Sequence, residues 1–275
     1  MKIVILYVSP NGTTKKAVYF LGSIFQKNAH DFIALDISKP EANRESASEI
    51  LKDADIIGIA SPVYHLRIFK TLDKYLKKNL LYITQISKIK SAFALVTYGG
   101  ITSGKALLNI SKILEKNSIS LCGAAKITAP HFWKTNGYPE NETEIFLRDF
   151  FNELNSKNFS PMSFSKSKSV LSYQKILIKI IYPPGKIIGF IRRQKISFIE
   201  SKCSKCGRCI RECPAHAIEI DLEIIRNHDK CAYCYHCAAI CPQNAFRVDT
   251  AKIKKIVNTN RKIAGTEYPQ NKIYV

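Results

Sequence analysis

The feature that constrains this chain most is a cysteine-rich segment that occurs twice. Eight of the nine cysteines lie in two sets that both read Cys-x2-Cys-x2-Cys-x3-Cys-Pro, and the second set repeats the first 28 residues later. The two sets are Cys203, Cys206, Cys209 and Cys213, and Cys231, Cys234, Cys237 and Cys241. The repeat continues beyond the cysteines, since Ala217 and Ala245 stand at the same offset. A duplication this regular predicts two similar half-domains related by approximate symmetry.

The spacing of each set is typical of an iron–sulfur ligand loop. Three closely spaced thiolates bind one 4Fe-4S cluster, and the fourth cysteine, followed by proline, binds the other cluster. We therefore predict two clusters with crossed ligands: Cys203, Cys206, Cys209 and Cys241 for the first, and Cys231, Cys234, Cys237 and Cys213 for the second. Zinc sites need single tetrahedral sets of four, and a disulfide framework needs secretion, so both alternatives fit poorly.

This segment resembles the bacterial dicluster ferredoxin domain over residues 198–250. His216, His228 and His236 lie nearby, but every ligand position is already filled, so we interpret them as surface residues or neighbours of the ligands. The ninth cysteine, Cys122, lies in an apolar run that is typical of a strand. A small buried thiol is the favoured interpretation of Cys122, and a reactive cysteine is the alternative.

The N-terminal part alternates strand-like and helix-like patterns. Apolar runs predict strands over Lys2–Val8, Asp31–Ile37, Ala54–Ala60, Ser91–Tyr98 and Ser118–Ile127. Helix-like segments at 13–27, 41–52, 67–80, 102–116 and 140–155 lie between and after them. This alternation predicts an α/β fold, a doubly wound five-stranded parallel sheet with helices on both faces, over residues 1–155. Ligands of such sheets bind at the carboxyl ends of the strands, so we expect a site in the loops after strands one, three and four.

Those three loops carry the candidate residues of a flavin site. The loop after strand one opens a helix with hydroxyl and amide side chains and a glycine, which together make a phosphate cradle. No Walker lysine follows, so a triphosphate P-loop is excluded, whereas simple helix capping stays open. The candidates in this loop are Ser9, Asn11, Gly12, Thr13 and Thr14; those after strand three are Ser61, Pro62, Val63 and Tyr64; those after strand four are Thr97, Tyr98, Gly99 and Gly100.

These loops resemble the FMN-binding loops of flavodoxins. The resemblance implies that Tyr64 and Tyr98 stack on the isoalloxazine ring and that glycines let backbone amides approach its polar edge. Asn11 replaces the usual threonine of the phosphate loop, and Phe69 stands where relatives often carry proline. The alternative is a flavodoxin-like domain without a flavin. Taken whole, the chain resembles the flavodoxin–ferredoxin fusion proteins of anaerobes.

Charge separates the chain into unequal parts. The formal net charge is +20, yet residues 156–202 alone carry ten basic and one acidic residue. Residues 156–197 are predicted to be a basic amphipathic connector, whose serine-rich stretch 156–169 is predicted to be a loop. At helical spacing Lys168, Lys175 and Lys179 fall on one stripe, which favours a helix packed between the two domains with its lysines in solvent. Residues 251–275 form a C-terminal extension. We expect a basic region near residues 157–202 to meet an acidic redox protein, with an anionic membrane surface as the alternative. Nucleic acid is not expected, because no recognition motif accompanies the charge.

The expected location and function complete the sequence-based picture. No apolar run is long enough for a membrane span, and the first apolar run ends too early for a signal peptide, so we expect a reducing cytoplasm, with peripheral membrane association as an alternative. Clusters pass single electrons and FMN exchanges one or two, so the expected function is electron transfer, as a carrier or a reductase component. No side chain stands out as a catalytic acid, base or nucleophile. The alternatives are an interaction adaptor with a flavin-free docking domain and a membrane-peripheral carrier.

Overall fold

The computed structural model describes residues 1–39, 42, 44–132, 136–171, 195–220, 224–263 and 271–275. Most of the predicted connector lies outside the described residues, including Lys175 and Lys179. Within the described part, no helix combines the length and the apolar character needed to cross a bilayer.

The N-terminal part alternates strands with helices, as predicted. Its strands are β1 (Lys2–Tyr7), β2 (Asp31–Asp36), β3 (Ile56–Tyr64), β4 (Arg67–Ile68), β5 (Ser91–Tyr98) and β6 (Ser120–Thr128). Its helices are α1 (Thr13–Lys27), α2 (Arg44–Lys52), α3 (Lys70–Ile86), α4 (Ala106–Glu115), α5 (Asn141–Ser156) and α6 (Phe164–Leu171).

Five of these strands form a parallel sheet in the order β6-β5-β3-β1-β2. Counting only these five, the order is 2-1-3-4-5, the flavodoxin-like doubly wound arrangement. The sheet separates two apolar cores, one that includes Leu72 of α3 and Ile110 of α4, and one that includes Phe25 of α1 and Phe150 of α5. Since β5 is buried along its whole length, its continuous apolar run is explained by cover on both faces. The predicted α/β fold class is confirmed.

Three elements differ from the sequence expectation. Arg67–Ile68 is predicted to begin a helix, but these residues form β4, a short antiparallel strand on β3, and α3 begins at Lys70. Phe164–Leu171 is helical, although its serine-rich composition predicts a loop. Burial explains this helix, because Leu171 packs in the core and Ser167 bonds to Ser111 of α4. The sheet also gains β11 (Lys272–Tyr274), which pairs antiparallel with β6.

The C-terminal part repeats its backbone as well as its sequence. Its elements are β7 (Ser197–Phe198), α7 (Arg208–Arg211), β8 (Ile218–Ile220), β9 (Ile224–Arg226), α8 (His236–Ile240), β10 (Phe246–Arg247) and α9 (Thr250–Ile263). Left-handed residues recur at the 28-residue offset: Lys205 and Tyr233 (φ 53° and 52°), Gly207 and Tyr235 (70° and 60°), and His216 and Asn244 (46° and 50°). The two ligand loops therefore follow the same backbone path.

Candidate functional site

The first set of cysteines surrounds a small cavity at the surface. Cys203, Cys206 and Cys209 line it together with Cys241 of the second set. Cys206 is exposed to solvent, and the other three are partly buried. The structure thus brings the last cysteine of the second motif to the first three of the first motif.

The second set lies deeper. Cys234 is 9% exposed and packs in the same apolar core as the helices of the N-terminal part. Burial raises the pKa of the Cys234 thiol, and Cys213, Cys237 and Cys231 raise it further. Burial likewise raises the pKa of Cys237 to about 12, with Cys231 and Cys213 adding to the rise. The thiol of Cys213 is therefore close to those of the second motif.

Backbone N–H groups donate to four of these sulfur atoms in a pattern that repeats. The N–H groups of Lys205 and Tyr233 donate to Cys203 and Cys231, both at 3.4 Å. In the same way, Ala217 donates to Cys213 at 3.4 Å and Ala245 donates to Cys241 at 3.2 Å. Such bonds favour thiolates and are among the protein's means of setting a cluster's potential.

These two sets of four cysteine thiols fit the chemistry of iron–sulfur clusters. In the described part of the chain, no three His, Cys, Asp or Glu side chains are arranged to hold a single metal ion. Four thiolates of a 4Fe-4S cluster each bind a different iron, so their sulfur atoms stand further apart than those of a zinc site. Because buried thiolates without a compensating cation are costly, an iron core would also explain why Cys234 and Cys237 lie inside.

A second cavity, of about 300 Å³, lies at the carboxyl ends of the parallel strands and is here called the interdomain cavity. Its N-terminal wall contains Asn11, Thr13, Pro62, Val63, Tyr64, His65, Thr97, Tyr98, Gly99, Ala129, Pro130, His131 and Phe132. Its opposite wall contains Tyr233, Cys234, Tyr235, Ile253 and Val257. Protein cavities that bind small molecules usually have a volume of about 300 Å³ or more.

Eight of the thirteen predicted flavin-site residues line this cavity, and five do not: Ser9, Gly12, Thr14, Ser61 and Gly100. The hydroxyls among these five hold the loops together. Ser9 Oγ accepts the N–H of Lys15 at 2.9 Å, and Thr14 Oγ1 bonds Thr97 Oγ1 at 2.8 Å. Ser61 Oγ accepts the N–H of Phe69 at 2.9 Å. These hydroxyls therefore shape the loops around the cavity.

The two tyrosines proposed for flavin stacking keep their hydroxyl protons at neutral pH. Burial raises the pKa of Tyr98 to about 12, with Tyr274 adding to the rise, and burial also raises the pKa of Tyr64. The Tyr64 ring packs edge-on against Phe69, with 5.3 Å between ring centroids. The cavity therefore presents neutral aromatic side chains.

The loop after β6 adds His131 to the site, a residue for which the sequence favours packing at the core or rim of the domain over a place beside the flavin. His131 lies against Gly99, since a Cβ at position 99 would come within 2.4 Å of the imidazole ring. Burial lowers the pKa of His131, and Arg261 lowers it further, so the imidazole is neutral. Ligands of parallel sheets bind at the carboxyl ends of the strands, and this rule points to the loop after β6 as well, because β6 is parallel to β5 and ends at the same edge.

Asn11 joins the two walls of the cavity. Its Nδ2 donates to the hydroxyl of Tyr64 at 3.2 Å and to the carbonyl of Cys234 at 3.3 Å. Its Oδ1 is buried and has no hydrogen-bond partner among the residues that the structure describes. A buried acceptor without a donor is unusual in a folded protein, so the cavity is suited to a ligand that carries an N–H or O–H group, as a flavin does.

Contacts between the two parts of the chain gather around the second cysteine set. Lys39 pairs with Glu212 at 2.7 Å, beside Cys213. Thr71 donates to the carbonyl of Pro214 at 2.7 Å, and Lys70 donates to that of Asp229 at 2.7 Å. The second set therefore faces the N-terminal part, whereas Cys206 of the first set faces solvent.

The comparisons with known proteins agree with a division of the chain into an N-terminal α/β part and a C-terminal cysteine-rich part. Residues 195–242 match the 4Fe-4S dicluster domain family, which confirms the resemblance of this segment to a dicluster ferredoxin domain. No curated protein matches the chain.

Solved structures resemble the N-terminal part. A flavodoxin from the domain Archaea is 16% identical, with a TM-score of 0.45 over 57% of this chain and 98% of its own. The rubredoxin oxygen:oxidoreductase of Desulfovibrio gigas is 17% identical, with a TM-score of 0.46, and the chain spans only 36% of its length. Megasphaera elsdenii flavodoxin is 15% identical, with a TM-score of 0.38 over 52% of this chain and 94% of its own. The fold class follows from the strand order of the sheet.

Proposed function

We propose that this chain is an electron-transfer protein with two 4Fe-4S clusters and an FMN in the interdomain cavity. The clusters supply one-electron chemistry and the flavin supplies one- or two-electron chemistry. Cys203, Cys206, Cys209 and Cys241 are the proposed ligands of the first cluster. Cys231, Cys234, Cys237 and Cys213 are those of the second.

The observation that carries this proposal is the composition of the interdomain cavity. Tyr64, Tyr98 and Gly99 form one wall, and the ligand loop Tyr233–Tyr235 forms part of the other. A flavin held by the first wall would therefore lie beside a loop that holds the second cluster. Rigid, close placement of redox groups is the main contribution that a protein makes to such chemistry.

The chain's own residues have defined tasks in this arrangement. Asn11 fixes the Cys234 carbonyl relative to Tyr64 through its two donated hydrogen bonds. Tyr64 and Tyr98 supply neutral aromatic surface, and Ile253 and Val257 of α9 add apolar cover that limits water. The helix α1, which begins at Thr13 after a left-handed Gly12, points its N-terminus at the same edge and suits a phosphate group.

Anaerobic purification with quantification of iron, sulfide and FMN tests the proposal. We expect about eight irons, about eight sulfides and about one FMN per chain. Iron and sulfide at these levels without flavin would overturn the flavin part and favour a docking role for the N-terminal domain. Absence of iron from protein prepared and reconstituted without oxygen would overturn the proposal as a whole.

We further propose an acidic redox protein as the partner and exclude nucleic acid. The basic region of residues 157–202, expected from the sequence to meet this partner or an anionic membrane, lies partly outside the described residues. Its role stays a prediction.

A further inference from the structure

The two halves of the duplicated domain have diverged in charge. Four basic residues of the first half, here called the basic loop, are all exposed: Lys202, Lys205, Arg208 and Arg211. Their counterparts 28 residues later are Lys230, Tyr233, His236 and Ala239. Three of the four cations are thus absent from the second half, and Lys230 is paired with Glu219 at 2.8 Å.

Two of the three substituted positions of the second half, Tyr233 and His236, are partly buried, and the third, Ala239, is exposed. Tyr233 lines the interdomain cavity, and the ring of Tyr235 lies 5.4 Å from that of Phe132. The second half has therefore become a packing surface for the N-terminal part.

The basic loop instead flanks the exposed cysteine in the sequence, and its two arginines reach the first cysteine set. Arg211 donates to the carbonyl of Cys206 at 3.1 Å, and Arg208 lines the cavity of the first cysteine set. Two carboxylates, Glu200 and Glu212, lie on the same stretch of chain, but Glu212 is already paired with Lys39. The surface around Cys206 is therefore net positive.

Compensation of cluster charge does not by itself account for the basic loop. The buried second set needs compensation more, because water is excluded there, yet among the described residues only Arg226 reaches one of its sulfur atoms, that of Cys231 at 3.4 Å. The exposed set, which water already screens, carries the four cations. This distribution is the reverse of what compensation alone predicts.

We propose that the basic loop is the docking surface for a redox protein with a carboxylate-rich surface. This inference rests on the proposed electron-transfer function and adds the place at which the partner binds. Complementary charge speeds encounter and orients the partner over the one exposed cysteine of the set. The second half, turned inward, leaves the first half as the external contact.

Binding of an acidic plant-type 2Fe-2S ferredoxin, used as the probe, tests the docking surface. The test variant is Lys202→Glu with Lys205→Glu, because neither side chain lines the cavity. The matched control is Lys74→Glu with Lys78→Glu on the exposed face of α3, which changes the net charge equally. The dissociation constant is measured by titration calorimetry at about 20 mM and about 200 mM salt.

We expect the test variant to bind the probe at least about tenfold more weakly than wild type at low salt, with a smaller difference at high salt. The control should stay within about twofold of wild type. Equal losses in the two variants would show that only net charge matters and overturn the proposal, as would wild-type protein that does not bind the probe at low salt.

Iron content and the cluster EPR signal separate this outcome from failure of the proposed function. If the wild-type protein holds its clusters and the test variant binds the probe as tightly as wild type does, the docking surface alone is overturned. If the glutamate variant does not load iron, the Lys202→Gln with Lys205→Gln variant replaces it, with a weakening of about threefold expected. Basic cytochrome c, a second probe, should bind wild type more weakly than the acidic ferredoxin does.

Discussion

The side chain of Asn11 donates a hydrogen bond to the backbone carbonyl of Cys234, across 223 positions of sequence. The bond runs from the loop that opens the first helix to the loop that carries a proposed cluster ligand. Asn11 is also the position at which this chain departs from the threonine of flavodoxin phosphate loops. The departure thus coincides with a contact that a lone flavodoxin domain has no partner to make.

Replacing Asn11 with alanine should loosen the contact between the two parts. The Cys234 carbonyl and the Tyr64 hydroxyl each lose a partner, so we expect the free energy of unfolding to fall by about 1–2 kcal/mol. Amide exchange at residues 233–235 should become faster. Asn28→Ala is the control, since the Asn28 side chain donates to the carbonyl of Ile24 at the end of its own helix. Unchanged exchange at 233–235 in Asn11→Ala would contradict the expectation.

The crossed arrangement of the cysteines can be tested with two single substitutions. Cys213→Ala should impair the cluster of the second motif, and Cys241→Ala should impair that of the first, because each thiol lies with the other motif's three. Each variant should lose about half of the iron, or should hold one of its two clusters in an altered form. EPR with potentiometry distinguishes the two clusters, because the exposed and buried sets should differ in potential. Damage by Cys213→Ala to the exposed cluster would refute the crossing.

The space at Gly99 predicts a substitution with a specific rescue. A Cβ at this position would meet the His131 ring at 2.4 Å, so Gly99→Ala should push the imidazole toward the cavity. We expect a loss of about 1–3 kcal/mol in stability and weaker FMN binding, measured by unfolding and by flavin fluorescence. Adding His131→Ala should restore part of both quantities relative to Gly99→Ala alone. A double variant as impaired as Gly99→Ala would show that His131 is not the obstacle.

The pH dependence of stability should reveal the buried thiol of Cys122. Burial raises its pKa to about 12 from the ordinary value of 9.0. Between these values the unfolded chain loses the proton and the fold does not, so stability falls with rising pH by up to about 1.4 kcal/mol per unit. The loss is absent below about pH 9.

Comparison with Cys122→Ala isolates this contribution, since all other titrating groups are shared. In the folded wild-type protein, the Sγ of Cys122 donates a hydrogen bond to the carbonyl of Ala92 at 3.1 Å. The variant should be less stable at about pH 8, and its deficit should shrink at about pH 11, as measured by guanidinium unfolding. A constant deficit would count against the raised pKa.

The edge strand β11 offers a test of how the C-terminal tail is held. Asn271 Oδ1 accepts the N–H of Thr128 at 2.8 Å and its hydroxyl at 3.2 Å, at the start of this strand. Asn271→Ala leaves both donors without this acceptor, so we expect about 1–2 kcal/mol lower stability and faster exchange at residues 124–128. Asn271→Asp keeps the acceptor oxygen and should stay closer to wild type. Equal effects of the two substitutions would argue against the hydrogen bonds.

The sequence by itself determined the features that depend on local spacing. The two cysteine motifs identify the dicluster domain because cluster ligands must lie on short loops, and the family match at residues 195–242 bears this out. The five parallel strands are predicted by apolar runs such as Ser91–Tyr98, which is buried along its whole length. The rule that ligands bind at the carboxyl ends of parallel strands then led to eight of the thirteen residues in the N-terminal wall of the interdomain cavity.

Only the tertiary structure decided which half of the repeat faces inward. The motifs have equal spacing, so nothing in the ligand pattern distinguishes exposed Cys206 from buried Cys234. The difference arises from packing against a domain that lies more than a hundred residues earlier in the chain. The same applies to Phe69, whose N–H reaches Ser61 Oγ at 2.9 Å in a bond that proline could not donate.

The edge of the sheet shows the same limit. Lys272–Tyr274 is a short segment with little periodicity, and it becomes a strand because β6 offers unpaired backbone groups beside it. Periodicity reports the faces that a segment can bury, and the identity of the covering segment depends on contacts between distant parts of the chain. For this protein, spacing specified the ligand loops and the sheet, and docking of the two parts specified the cavity between them.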